Sequence, residues 1–205
     1  MKFIRFIPIL FVLACAPTFK NHLLNEEFDD NKLGWVEEWT KYHHTKFVDG
    51  KLLLISIDTA NSYTSNGPRN ESVFWSLPSN WQFSTSCEII DGGEDAEFGF
   101  ILYSSSIQYI FSISRNGNVV IVEYDYNSEV QSFLVEKQLK GIPMENNQPI
   151  ILDLKVREES FEFYINKEIV GKNTFRAKSW ESLRLYASSG GTGIKSDYFR
   201  LMKLD

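Results

Sequence analysis

The chain has 205 residues, with 21 basic against 27 acidic side chains and a formal charge of −6. That balance argues against nucleic acid as a partner, because recognition there rests on Lys and Arg neutralising phosphates, and against electrostatic adhesion to anionic lipid. The length suits one domain, and an aromatic content of 15% can fill a large core.

The first residues read as an address. Lys2 and Arg5 form a basic start, and Phe6 to Ala14 form an apolar stretch of about nine residues. That suits the h-region of a signal peptide and is far short of the roughly 20 residues of a membrane span. The run stops at Ala14-Cys15. A small residue followed by cysteine here resembles the lipobox of bacterial lipoproteins, although Val12 and Leu13 stand where that family prefers Leu and a small residue. The resemblance implies a signal peptide over 1–14, a lipidated Cys15 with a tether over 15–23, and a domain over 24–205. It also implies a membrane-anchored location outside the cytoplasm, at the outer membrane or facing the periplasm. An ordinary cleaved signal and an uncleaved segment are the alternatives. Loss of Lys2 and Arg5 leaves 19 basic against 27 acidic residues, a charge of −8, so the membrane tie is the covalent anchor. Cys87 lies in the alternating run Trp81 to Ile90 and is expected as a small buried hydrophobe. A disulfide to Cys15 is the alternative.

Beyond the tether, short β-type runs alternate with turn signals. Phe47-Val48 and Lys51 to Ile57 flank Asp49-Gly50, a two-residue hairpin signal. Further runs cover Ser72 to Leu77, Trp81 to Ile90, Glu97 to Ser104, Ile107 to Ser114, Asn118 to Tyr126 and Val130 to Gln138. The series continues with Ile150 to Val156, Phe161 to Ile165, Glu168 to Val170, Leu183 to Ala187 and Ile194 to Leu204. Helical periodicity is scarce; 146–148 and 177–181 have room for a brief turn. The pattern predicts an all-β, two-sheet antiparallel sandwich or jelly roll.

Asn116-Gly117, read as a two-residue turn, pairs Arg115 with Asn118. Ile113, Phe111 and Tyr109 then face Val120, Val122 and Tyr124 on the core side. Gln108, Ile110, Ser112 and Ser114 share the other face with Val119, Ile121, Glu123 and Asp125.

Several segments are similar to the concanavalin A-like lectin/glucanase superfamily, in particular laminin G-like and 3-keto-disaccharide hydrolase-like domains. They are Glu27-Phe-Asp-Asp-Asn31 with Gly34-Trp35, Glu97 to Leu102, Tyr109 to Ser114 before Asn-Gly, Phe163-Tyr-Ile-Asn166, where Lys167 replaces the usual Gly, and Asp197 to Leu201. The resemblance implies two antiparallel sheets of about six or seven strands, one convex and one concave, with carbohydrate on or beside the concave one. It also implies that the last strand pairs near the first.

The chemistry is sparse. Laminarinase-type relatives place Glu, Asp and Glu alternately on one strand, whereas Glu88-Ile-Ile-Asp91 puts its carboxylates on opposite faces. Glu123 and Asp125 share a face about 6.8 Å apart and are the candidate acid/base pair, with a solvated strand edge as the bland explanation. Asp91, Glu94 and Asp95 surround two glycines and offer oxygen ligands of the kind Ca²⁺ takes; a hydrated turn fits as well, and no cofactor is required. His43-His44 lacks a visible third ligand. Tyr103, Tyr164 and Tyr186, with Gln108, Glu123 and Arg184 as polar neighbours, are candidate glycan contacts, because aromatic rings stack on apolar sugar faces. The five tryptophans read as core or rim. The expected function is noncatalytic glycan binding. A glycoside or 3-keto-disaccharide hydrolase and a protein-binding adhesion lipoprotein are the alternatives. Oligomeric state is not encoded in any pattern here.

Overall fold

Runs in which every second residue is apolar have one energetically sensible conformation, a strand with one face buried. The computed structural model describes residues 21–57, 63–69, 71–140, 148–188 and 191–205. The signal-like segment and Cys15 lie outside the described residues. In chain order the strands are β1 (His22–Glu26), β2 (Glu38–Trp39), β3 (His43–Val48), β4 (Lys51–Ser56), β5 (Thr64–Asn66), β6 (Asn80–Asp91), β7 (Glu97–Tyr103) and β8 (Ile107–Ser114). They continue as β9 (Asn118–Asp125), β10 (Val130–Gln138), β11 (Pro149–Arg157), β12 (Ser160–Ile165), β13 (Glu168–Thr174), β14 (Ser182–Ala187) and β15 (Gly193–Lys203).

Two antiparallel sheets result. The larger runs β13-β12-β11-β6-β15-β4-β3-β2, with β1 also paired to β15; the smaller runs β10-β9-β8-β7-β14-β5. The last strand thus receives the first, as expected. The N-terminal boundary is earlier than predicted. His22 and Leu23 belong to β1, because Leu23 and Leu24 pack on the core rather than tethering it.

Aromatic rings fill the space between the sheets. Phe100 of β7 meets Phe83 of β6 at 4.8 Å, Phe111 of β8 at 4.9 Å and Phe163 of β12 at 5.7 Å, centroid to centroid. Such pairs add about 0.5–1.5 kcal/mol each beyond area burial. Cys87 is a free thiol, fully buried in this core. Burial pushes it up to about 12, so it stays an unreactive, protonated side chain. Trp35, Trp81 and Trp180 are buried, whereas Trp39 and Trp75 are exposed.

Two predicted elements differ. The run Ser72 to Leu77 is a 3₁₀ helix, Glu71–Ser76. A short apolar run does not by itself distinguish strand from helical turn, and this one crosses the end of the sandwich between Pro68 and Pro78. The hairpin at Asn116-Gly117 has a three-residue connection, 115–117, so Ile113 pairs with Val119, Phe111 with Ile121 and Tyr109 with Glu123. Gly117 takes φ +87° and donates its N–H to the Ser114 carbonyl at 2.8 Å, the signature of a type I turn closed by a glycine bulge. One residue of slip inverts every face assignment on β9. Val119, Ile121 and Glu123 point into the sandwich, and Val120, Val122 and Tyr124 point out.

Candidate functional site

The corrected register defines the outer face of the smaller sheet. Across the strands, one row reads Tyr186, Gly99, Ser112, Val120 and Glu136; the next reads Arg184, Ile101, Ile110, Val122 and Phe133; the third reads Tyr103, Gln108, Tyr124 and Gln131. A bulge between Phe133 and Val135 keeps Phe133 and Glu136 on this face. Gly99 on β7 has no room for a side chain, because a Cβ there would collide with the Phe111 carbonyl of β8.

This face is hollowed into a cleft of about 590 Å³. Its floor is Ile110, Ser112, Val120 and Val122, and its aromatic walls are Tyr63, Tyr124, Tyr126, Phe133 and Tyr186. Gln108, Asn118, Gln131, Glu97 and Glu136 supply hydrogen-bonding groups. The rings are held in place. Tyr63 packs on Tyr186 at 5.5 Å, Tyr124 meets Tyr126 edge-on at 4.9 Å, and Tyr126 donates its hydroxyl to Gln108 Oε1. Tyr186 donates to Glu97 Oε2 at 3.4 Å. Burial, then the Glu97 charge, pushes the Tyr186 phenol far above its usual value, so it remains a neutral donor. Burial also holds the Glu97 carboxyl above the usual carboxylate range, opposed by hydrogen bonds from Tyr186 and Ser112.

The candidates named from sequence are thereby separated. Gln108 and Tyr186 line the cleft. Tyr103 lies on the same face beside it, with the Arg184 guanidinium 5.7 Å above its ring, and Arg184 itself donates to Glu71 at 2.9 Å. Tyr164 is on β12 in the other sheet, where it donates to Glu162 and carries Lys155 4.5 Å above its ring. It cannot share a ligand with Tyr186.

Glu123 and Asp125 point into the sandwich, not into the cleft, which corrects the face assigned to them. Glu123 accepts from Tyr109 Oη at 2.7 Å and from Arg176 Nη1 at 2.8 Å, while Arg176 Nη2 donates to Asp125 at 2.9 Å. The Arg176 backbone N–H donates to Tyr109 Oη at 2.8 Å. The cluster pins the segment after β13 to the inner face of β9. Hydrogen bonds from the Asn127 backbone and from Arg176 hold the Asp125 carboxyl low.

Asp91 caps the Gly92 N–H at 2.8 Å, and Asp95 accepts from Asn116 at 3.3 Å. Among the described residues no three His, Cys, Asp or Glu side chains converge as a metal-ligand group. His43 pairs with Glu38 at 3.1 Å, and His44 stacks on Trp39.

Sequence reasoning missed Tyr63, Tyr124, Tyr126, Phe133, Glu97 and Glu136. Tyr124 was recoverable from Ser114 and Asn118 flanking the turn, because the Asn118 N–H donates to Ser114 Oγ at 3.1 Å in the three-residue connection. Phe133 depends on a bulge that no local pattern announces.

No protein-family model and no curated protein sequence matches the chain. Solved structures do. The carbohydrate-binding module CBM66 from Bacillus subtilis superposes with a TM-score of 0.57 at 14% identity, covering 79% of this chain and 91% of that one. The catalytic domain of an endo-1,3-β-glucanase (laminarinase) from Thermotoga petrophila gives 0.61 at 11% identity, covering 89% and 97%. The chain shares with them a fold of two antiparallel sheets, a jelly-roll sandwich. The same jelly roll matches the GH43 protein BlXynB from Bacillus licheniformis with a TM-score of 0.62 at 14% identity, spanning 88% of this chain but only 39% of that longer protein. At these identities the likeness is one of fold.

Proposed function

We propose that the protein is an extracytoplasmic binding module that takes a neutral glycan chain into the cleft of the smaller sheet without cleaving it, held at a membrane by lipid on Cys15. The observation that carries the reading is the lining of that cleft. Tyrosine and phenylalanine faces flank an apolar floor, the arrangement that stacks on sugar C–H faces, and amide, hydroxyl and carboxylate groups are spaced among them to bond hydroxyls. The charged groups among the described lining residues are Glu97 and Glu136, with no Lys or Arg. An acidic chain would therefore meet like charge at short range. The carbohydrate-binding and laminarinase sandwiches that share the fold support glycan as the ligand class.

Binding without hydrolysis is supported by where the carboxylates stand. Paired glycosidase carboxyls are about 5–5.5 Å or about 6.5–9.5 Å apart. Glu97 is on β7 and Glu136 on β10, three strand spacings or about 14 Å between backbones, and Glu123 and Asp125 turn inward. One observation favours the hydrolase alternative: Glu97 is a half-buried, cleft-facing acid whose proton affinity is raised, as a general acid requires.

The test is affinity against soluble neutral and acidic polysaccharides, with product release monitored. Neutral chains bind and acidic ones do not; Tyr124→Ala with Phe133→Ala weakens binding at least tenfold, about 1.4 kcal/mol. Absence of binding to every chain overturns the reading, and product release that disappears in Glu97→Gln establishes the hydrolase instead. For the anchor, the wild-type chain partitions into detergent and Cys15→Ser does not.

A further inference from the structure

We propose a second saccharide site at the end of the sandwich, built on Trp75 and independent of the cleft. On the 3₁₀ helix Phe74 is turned into the core and Trp75 outward, 71% exposed. Trp39, the other exposed indole, already carries the stacked His44 ring and has the Lys46 ammonium 5.8 Å from its ring centroid. No ring or cation among the described residues is packed on Trp75. Beside it opens a cavity of about 270 Å³ floored by Trp81 and Trp180 and edged by Glu158, Glu159 and Lys178.

The cavity is set by backbone bonds between the segments that form it. The Glu158 N–H donates to the Ser79 carbonyl at 2.7 Å, and the Phe175 N–H donates to the Glu159 carbonyl at 2.7 Å. These tie the β11–β12 turn to the segment before β6 and to the segment leading into β14. A site preassembled in this way loses little freedom on binding. Its volume falls just below the roughly 300–1,000 Å³ of ordinary small-molecule sites, which suits one sugar ring or a chain end rather than a chain segment. An exposed indole supplies the stacking face, while two carboxylates and an ammonium supply acceptors and donors for hydroxyls. The adjacent carboxylates Glu158 and Glu159 oppose an anionic lipid surface as the occupant.

The described residues lining the cleft include no tryptophan, whereas the end site has Trp75, Trp81 and Trp180. Trp35 and Trp39 line neither site, so an emission shift that is lost with Trp75 reports the end site. The full chain is titrated with β-1,3-gluco- and β-1,4-xylo-hexasaccharides. A saturable shift in tryptophan emission is expected with at least one of them. It persists in Tyr124→Ala, and in Trp75→Ala it is lost or its midpoint rises at least tenfold. Glu158→Gln with Glu159→Gln, which leaves all rings in place, weakens the same titration and serves if Trp75→Ala does not fold. The absence of any shift, a shift unchanged in both end-site variants, or a shift abolished by Tyr124→Ala overturns the proposal. So does a shift produced by an aromatic peptide and by neither sugar. Loss of cleft binding with the emission shift intact would overturn only the cleft reading.

Discussion

Among the described residues lining the cleft, Glu97 is the carboxylate that the fold holds partly out of water. Its raised proton affinity is also a statement about stability. The ionised form is disfavoured in the folded state and not in the unfolded one. The resulting destabilisation is absent below the ordinary glutamate pKa of about 4.3 and complete once pH exceeds the raised folded value. Glu97→Gln should therefore raise the urea midpoint at pH 7.5 and leave it nearly unchanged at pH 3.5; equal effects at both values would show that burial is not the cause. Asp125 works in the opposite sense, because its lowered folded value adds stability that is lost as pH falls below the ordinary aspartate range. Asp125→Asn should flatten the acid limb of the stability profile measured between pH 5 and 2. Little at this scale was legible beforehand. Tyr186 and Gln108 were, because they fall on the mixed face of strongly alternating strands. Glu123 was not, because its direction depends on a turn.

Turns are where the strand pattern stops being informative. Alternation on β8, β11 and β12 fixes which side chains face the core without reference to neighbours, so those strands are where periodicity puts them. Register between two strands is fixed by the connection, and Asn-Gly fits both a two-residue and a three-residue one. The Asp49-Gly50 hairpin, read the same way, does pair Val48 with Lys51. The contrast lies in Ser114, whose hydroxyl accepts the Asn118 N–H and holds the longer form. A third hairpin shows what an unfavourable turn residue costs. Ile165 pairs with Glu168 across Asn166 and Lys167, which take φ +49° and +72°. Left-handed backbone costs a non-glycine residue about 1–2 kcal/mol, and glycine gives back about 0.4–1 kcal/mol through the unfolded chain. Lys167→Gly should therefore stabilise by about 0.5–1 kcal/mol, read as a Tm rise of about 1–4 °C by calorimetry.

At the scale of the whole molecule the architecture rests on rings meeting between two sheets. Phe111 touches Phe100, Phe161, Phe163 and Phe175 within 4.9–6.3 Å. Phe111→Ala should cost about 3–5 kcal/mol, a large part of the 5–15 kcal/mol typical of a domain, and denaturant titration would measure it. The short strands β2 and β5 escaped the sequence reading because two or three residues cannot show a period. The order of the long strands, and with it the sandwich, did not escape. One pairing has a mechanical consequence. β1 lies antiparallel along β15, matching His22 with Met202 and Glu26 with Phe199, and the Lys203 N–H donates to the Asn21 carbonyl. Strand β15 is interior to the larger sheet, bonded on its other side to β6. Tension entering through residue 21 along the strand axis therefore loads these hydrogen bonds together, in shear, and passes into the middle of the sheet. Peeling from an edge would break them one at a time. Forced opening from this end must cross one high barrier in place of several low ones, and its rate is set by that barrier rather than by equilibrium stability.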